Sequence, residues 1–180
     1  ELDDKTRGRL QRIQRAEQQC TDLISALLLL SRNERGHGAT DVARQAEQLL
    51  DVHRAQLGGK ALDLRLEGER GLVVDAPEAA VAVALGNLIG NAVRHTPAGT
   101  QIVVDVARQG GMVCASVSDD GQRPGAPAPA AGSQGLGLGL RLVQRMAEQQ
   151  GGSLVRDAGE PPATTRFRLS WPAGEDPGHR

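Results

Sequence analysis

Two amide side chains, Asn87 and Asn91, stand four residues apart in a largely apolar stretch. On a helix this spacing places both amides on one face. Neutral amide oxygens can complete a Mg²⁺ shell that water and phosphate share. Arg94 follows on the same face, where it is able to pair with a phosphate. For two asparagines alone, however, an ordinary polar face of an exposed helix is the simpler interpretation.

A second polar group closes the apolar run that begins at Met112. It consists of Ser118, Asp119, Asp120 and Gly121. An acidic residue at the end of a strand, followed by glycine, can accept a hydrogen bond from an adenine amino group while the backbone turns close to the ligand. A simple Asp-Gly turn explains the same residues. When such a segment stands alone, a turn is commoner than an adenine-binding site.

Three alternating glycines, Gly135, Gly137 and Gly139, precede the segment 141–150. Glycines that open a helix expose backbone N–H groups at the positive end of the helix dipole, which suits phosphate. The segment is not a P-loop, because no Gly-Lys-Ser/Thr follows it. It is also a poor dinucleotide-binding loop, because no βαβ pattern surrounds it.

The elements that must position these groups alternate along the chain. Apolar spacing and capping residues predict helices over 1–34, 41–56, 78–94 and 138–150. Apolar alternation and turn residues predict strands over 62–66, 72–75, 101–108, 112–118, 153–156 and 164–171. This mixed order, with hairpins, predicts an α/β (α+β) fold: a two-layer sandwich of a mixed β-sheet covered by helices, preceded by a long N-terminal helix.

Composition argues against several other classes of protein. The 180 residues carry a net charge of −1 and contain one Phe, one Trp and no Tyr, so neither counterion release nor base stacking favours a nucleic-acid partner. Cys20 and Cys114 stand far apart and outside any metal-binding spacing, which predicts two reduced thiols. The longest apolar run, 24–30, is too short to span a bilayer, so we expect no direct membrane contact by these residues.

Taken together and in this order, the three motifs resemble the N, G1 and G2 boxes of bacterial sensor histidine kinases, within the GHKL superfamily of ATP-binding proteins. The resemblance covers about residues 40–171. The segment Leu142–Met146 and the pair Gly151-Gly152 match the family's next helix and turn, and they fix how the third motif aligns with the family's G2 box. Residues 10–35, with an apolar stripe on a charged helix, look like the second helix of the family's dimerisation hairpin.

The resemblance implies a domain plan. It implies a hairpin helix over 1–36, a catalytic ATP-binding domain over 40–172 and an ATP lid at about 122–134. We expect residues 173–180 to form a disordered tail.

The resemblance also implies roles for single residues. Asn91 would be a Mg²⁺ ligand with Asn87 beside it, Arg94 a phosphate contact, and His95 a neighbour of the nucleotide. Asp119 would bind the adenine amino group, and Gly121 would allow the ligand to approach closely. The third box would supply the lid hinge and the phosphate cradle through Gly135, Leu136, Gly137, Leu138 and Gly139.

The implied cofactors and partners are ATP, Mg²⁺, the receiver domain of a response regulator and, in a longer parent, a second copy of the chain. The parent is expected to be anchored in the bacterial inner membrane, with these residues on the cytoplasmic side. None of His37, His53, His95 and His179 has the phosphoacceptor setting of the family, so we predict that this chain alone does not autophosphorylate.

Two departures from the family pattern keep other functions open. Arg123 replaces the second glycine of the G1 box, and no Phe precedes Phe167, so the lid lacks its usual aromatic residue. A degenerate scaffold or phosphotransfer adaptor without ATP affinity is therefore one alternative. A GHKL ATPase or serine kinase is another, although the hairpin-like helix over 1–34 argues against it.

Overall fold

The computed structural model describes residues 37–121, 138–157 and 165–175, together with Thr6, Cys20 and Ile24. The predicted lid and most of the predicted N-terminal helix lie outside the described residues. Thr6, Cys20 and Ile24 are helical, and their side chains are exposed.

Within the described ranges 37–121, 138–157 and 165–175, three helices form one layer. Their bounds are Val42–Gln56 for α1, Glu78–His95 for α2 and Leu138–Gln149 for α3. The carboxylate of Asp41 caps α1 by accepting a hydrogen bond from the backbone N–H of Arg44 at 3.0 Å. Pro77 stands at the N-cap of α2, and the helix ends at His95, with Thr96 as its C-cap immediately before Pro97. These ends agree with the sequence prediction to within about two residues.

In the part of the chain that the structure describes, seven strands form two sheets. Their bounds are Ala39–Asp41 for β1, Asp63–Gly68 for β2, Val73–Asp75 for β3, Gln101–Gln109 for β4, Met112–Asp119 for β5, Ser153–Asp157 for β6 and Thr165–Pro172 for β7. The larger sheet has the order β2-β4-β5-β7-β6, with β2 parallel to β4 and the other pairs antiparallel. The predicted two-layer sandwich on a mixed sheet is confirmed.

The main hydrophobic core of the described residues lies between the helices and the larger sheet. Alternate residues of β4 and β5 face it, among them Val104 and Val117, while the residues between them are more exposed. Leu85 of α2 and Trp171 of β7 are fully buried in the same core. The nearly aromatic-free chain therefore fills its interior with branched aliphatic side chains, as its composition predicts.

The smaller sheet pairs β1 with β3, and sequence reasoning missed β1. Three residues are too few to show an alternating pattern, and Thr40-Asp41 signalled a helix cap more strongly. Thr40 is in fact buried, and its hydroxyl donates to the carbonyl of Ala76 at 2.7 Å.

The predicted start of a disordered tail at residue 173 is corrected by two contacts. Ala173 forms a bridge to Val74, and the N–H of Gly174 donates to the carbonyl of Val73 at 2.8 Å. The ordered chain thus continues past the last strand because β3 still offers backbone partners. Residues 176–180 lie outside the described residues.

Candidate functional site

The C-terminal half of α2 carries the first predicted motif. Asn87 is buried, and its amide nitrogen donates to the carbonyl of Val83 at 2.9 Å. This bond fixes the orientation of the amide, so its carbonyl oxygen stays available as an acceptor or metal ligand. A methyl group added at Gly139 would lie 3.6 Å from that oxygen. The start of α3 therefore faces Asn87, and the first and third motifs meet at this point.

Asn91 lies one turn further along α2 and is partly buried. The guanidinium of Arg94 donates to its carbonyl oxygen at 2.6 Å. Gly90 makes room for this arrangement, because a methyl group there would lie 3.3 Å from Nη1 of Arg94 and 3.7 Å from Cε1 of His53. The two side chains that the sequence assigned to Mg²⁺ and phosphate are thus in direct contact.

A groove of about 300 Å³ between α1 and α2 ends at these side chains. His53 and Leu49 of α1 line it together with Gly86, Gly90 and Arg94 of α2. Sequence reasoning placed His53 only on a periodic helical face. Its position beside Arg94 follows from helix packing, which no local signal in the sequence encodes.

The second motif lies at the end of β5. Asp119 is 4% exposed and stands in register with Ile102 of β4 and Thr165 of β7. Thr165 is also buried, which places a hydroxyl on the strand beside the carboxylate. Sequence reasoning missed Thr165, because only the strand register brings it next to Asp119.

Gly121 connects the end of β5 to the end of α2. A methyl group added there would lie 2.5 Å from Oγ1 of Thr100 and 3.0 Å from Cδ of Pro97, the second residue after α2. The glycine is therefore required by the protein's own packing, whereas the sequence suggested room for a ligand. The contact places Gly121 of the second motif beside the residues that follow α2, the helix that carries the first motif.

The remaining predicted residues are only partly described. His95 is the last residue of α2 and its side chain is exposed. Leu138 and Gly139 begin α3. Gly135, Leu136 and Gly137 lie outside the described residues, as does the predicted lid.

The oxygen atoms that Asn87 and Asn91 could offer to a Mg²⁺ ion belong to neutral amides. Within the described residues, no group of three or more His, Cys, Asp or Glu side chains is arranged to hold a metal ion. Asn87 and Asn91 present neutral oxygens one helical turn apart, which suits a cation that keeps several waters and phosphate oxygens in its shell. The residues therefore fit Mg²⁺ bound together with a phosphate ester.

Sequence comparison places these motifs in a known family. The family described as "Histidine kinase-, DNA gyrase B-, and HSP90-like ATPase" matches residues 77–175. The chain is 30% identical over 175 residues to the sensor protein IrlS of Burkholderia pseudomallei, a match that covers 87% of this chain and 37% of IrlS. It is 31% identical to the sensor protein kinase PmrB of Pseudomonas aeruginosa, over 82% of this chain and 34% of PmrB. The chain thus spans about a third of the length of these curated relatives.

Solved structures share the same fold. The histidine kinase AdeS of Acinetobacter baumannii superposes with a TM-score of 0.70 at 18% identity, over 97% of this chain and 87% of that one. The catalytic domain of the histidine kinase ThkA gives 0.65 at 18% identity, over 76% and 96%. In the part of the chain that the structure describes, no helix has both the length and the apolar character needed to cross a bilayer. The chain belongs to the histidine kinase-, DNA gyrase B- and HSP90-like ATPase family, as an ATP-binding catalytic domain of the sensor histidine kinase type.

Proposed function

We propose that the site binds ATP with Mg²⁺ and serves phosphoryl transfer to a histidine. The observation that carries the proposal is the convergence of three motifs on one half of α2. Gly139 meets Asn87 at one side, and Gly121 meets Pro97 at the end of the helix. The proximity of these sequence-distant motifs supports a ligand site that they share.

Each side chain has a defined task in this proposal. The carboxylate of Asp119, buried at the end of β5, accepts a hydrogen bond from the adenine amino group. Arg94 exchanges its bond to Asn91 for a bond to a phosphate oxygen, because a doubly charged anion attracts a guanidinium more strongly than a neutral amide does. Asn91 and Asn87 would hold Mg²⁺, which would neutralise charge on the phosphates.

The transferred group moves to an imidazole nitrogen of a histidine that another segment supplies. The bond between the γ-phosphorus and the bridging oxygen breaks, a nitrogen–phosphorus bond forms, ADP leaves, and the imidazole N–H proton passes to solvent. Such a reaction depends mainly on positioning and charge neutralisation, which these residues provide. In the longer parent, a homodimer anchored at the membrane, the phosphoryl group would pass to an aspartate of a response-regulator receiver domain.

Calorimetric titration with a non-hydrolysable ATP analogue and Mg²⁺ tests the proposal. We expect binding that needs Mg²⁺, that is lost in Asp119→Asn, and that persists in Asp120→Asn. Asp120 is the matched control because it is exposed and its carboxylate, among the described residues, accepts only the backbone N–H of Gln101, at 2.7 Å. Equal binding by wild type and Asp119→Asn would contradict the assignment of the adenine site.

A scaffold without ATP affinity is the second candidate. Its support is Arg123 in the G1 box and the bond that already joins Arg94 to Asn91. Absence of binding at millimolar analogue would favour it. With γ-labelled ATP we expect no label on this chain alone, and a labelled histidine in it would contradict that expectation.

A further inference from the structure

The last turn of α2, which carries Arg94, contains one carbonyl that cannot form its helical hydrogen bond. In a regular helix, the carbonyl of Val93 would accept a bond from the N–H of the fourth residue after it. That residue is Pro97, and proline has no N–H. The preceding carbonyl, that of Ala92, does have such a partner, because the N–H of Thr96 donates to it at 3.1 Å. The carbonyl of Val93 therefore needs a donor from outside the helix.

Lys60 supplies that donor. Its ammonium group donates to the carbonyl of Val93 at 2.6 Å, across 33 positions of the chain. Lys60 follows α1, in a turn that brings its own N–H to the carbonyl of Leu57 at 2.9 Å. Gly58 and Gly59 lie inside this turn with φ of 55° and 91°, in the region that favours glycine. A cation at the carboxyl end of a helix also interacts favourably with the helix dipole.

Two backbone hydrogen bonds hold the segment after Lys60 against the turn after α2. The N–H of Gly99 donates to the carbonyl of Ala61 at 2.6 Å, and the N–H of Asp63 donates to the carbonyl of Thr100 at 3.0 Å. The backbone at Lys60 is thus fixed close to the end of the helix. The side chain of Lys60 is only partly exposed, which limits competition from water for its bond.

We propose that Lys60 is a positioning residue for the phosphate side of the candidate nucleotide site. The inference rests on the proposed function, because Arg94 and Asn91 are the groups that Lys60 holds in place. Val93 directly precedes Arg94, whose guanidinium bonds to Asn91 at 2.6 Å. Without the Lys60 bond this turn frays, and both groups lose the geometry that Mg²⁺ and phosphate need. Asp119, on the adenine side, lies on β5 and outside this turn.

NMR titration with two ligands tests the proposal: a non-hydrolysable ATP analogue with Mg²⁺, and adenosine, which has no phosphate. Lys60→Gln should weaken binding of the analogue about fivefold or more and adenosine binding less than about twofold. Lys60→Arg keeps a long cationic donor and should restore most of the analogue affinity. Arg54→Gln is the matched control, because it also removes one positive charge and one bond to a backbone carbonyl, that of Leu64 at 2.8 Å, on β2. It should leave both affinities unchanged. Salt at about 0.5 M screens the loss of charge itself.

A second measurement needs no nucleotide and separates this proposal from the proposed function. In the ligand-free chain, Lys60→Gln should shift the side-chain NMR signals of Arg94 and Asn91, whereas Lys60→Arg and Arg54→Gln should not. Failure of the wild-type chain to bind the analogue would contradict the proposed function, and the ligand-free signals would then decide whether Lys60 holds the turn. The positioning role is overturned if those signals stay unchanged in Lys60→Gln. It is also overturned if the affinities for the analogue and adenosine fall by the same factor, or if neither falls.

Discussion

At the scale of single residues, glycines govern how closely the three motifs approach one another. Gly121→Ala would press a methyl group against Thr100 and Pro97, so the ends of β5 and α2 would have to separate. We expect weaker binding of the ATP analogue and a lower melting temperature. Titration and thermal denaturation measure the two effects.

Thr100 offers a specific test of that reasoning. Its hydroxyl and methyl group are the nearest obstacles to the new side chain. Adding Thr100→Ala to Gly121→Ala should therefore recover part of the lost stability, after allowance for the hydrogen bond from Thr100 to the carbonyl of Pro97. If the double variant loses more stability than the two single variants lose together, the crowding lies elsewhere.

The two cysteines differ in reactivity for a physical reason. Cys20 is exposed, whereas Cys114 is buried on β5, and burial raises the pKa of its thiol. Since the thiolate is the nucleophile, alkylation by iodoacetamide at about pH 8 should modify Cys20 well before Cys114. Peptide mass mapping over time measures the two rates. Equal rates in the native protein would mean that Cys114 is accessible to solvent.

At the scale of elements, the turn between α3 and β6 is set by two glycines with different tasks. Gly151 has φ 75°, in the left-handed region. At Gly152 a methyl group would collide with the carbonyl oxygen of Ser170 on β7. Gly152→Ala must therefore move β6 away from β7 or tilt α3.

We expect Gly152→Ala to lower the free energy of unfolding by about 2 kcal/mol or more, the range of substitutions that force a backbone shift. Gly111→Ala is the matched control, because a methyl group there meets nothing within 4 Å and the residue lies outside the left-handed region. Urea denaturation of both variants measures the difference. Similar midpoints for both variants would argue against the close approach at Ser170.

At the scale of the whole molecule, stability depends mainly on the large core between helices and sheet. Leu85 is fully buried in it, so Leu85→Ala should cost about 2–5 kcal/mol. Val52 is 52% exposed, and Val52→Ala should change the unfolding free energy far less. Thermal denaturation measures the loss of stability in each variant. An equal loss of stability in both variants would show that α2 does not anchor the core.

Local sequence patterns determined the elements and the identity of the candidate residues. Period-two alternation in β4 and β5 and the apolar spacing in α2 predict those elements nearly to the residue, because each pattern reports burial of one face. The mixed order of these elements, with its hairpins, then predicted the two-layer fold. The sequence did not predict the strand β1, because three residues are too few to show an alternating pattern.

Tertiary structure alone decided how the motifs meet. The contact of Gly139 with Asn87 and the fit of Gly121 against Thr100 join residues far apart in sequence, and no local pattern encodes such distances. The same holds for Thr165 beside Asp119, which depends on strand register.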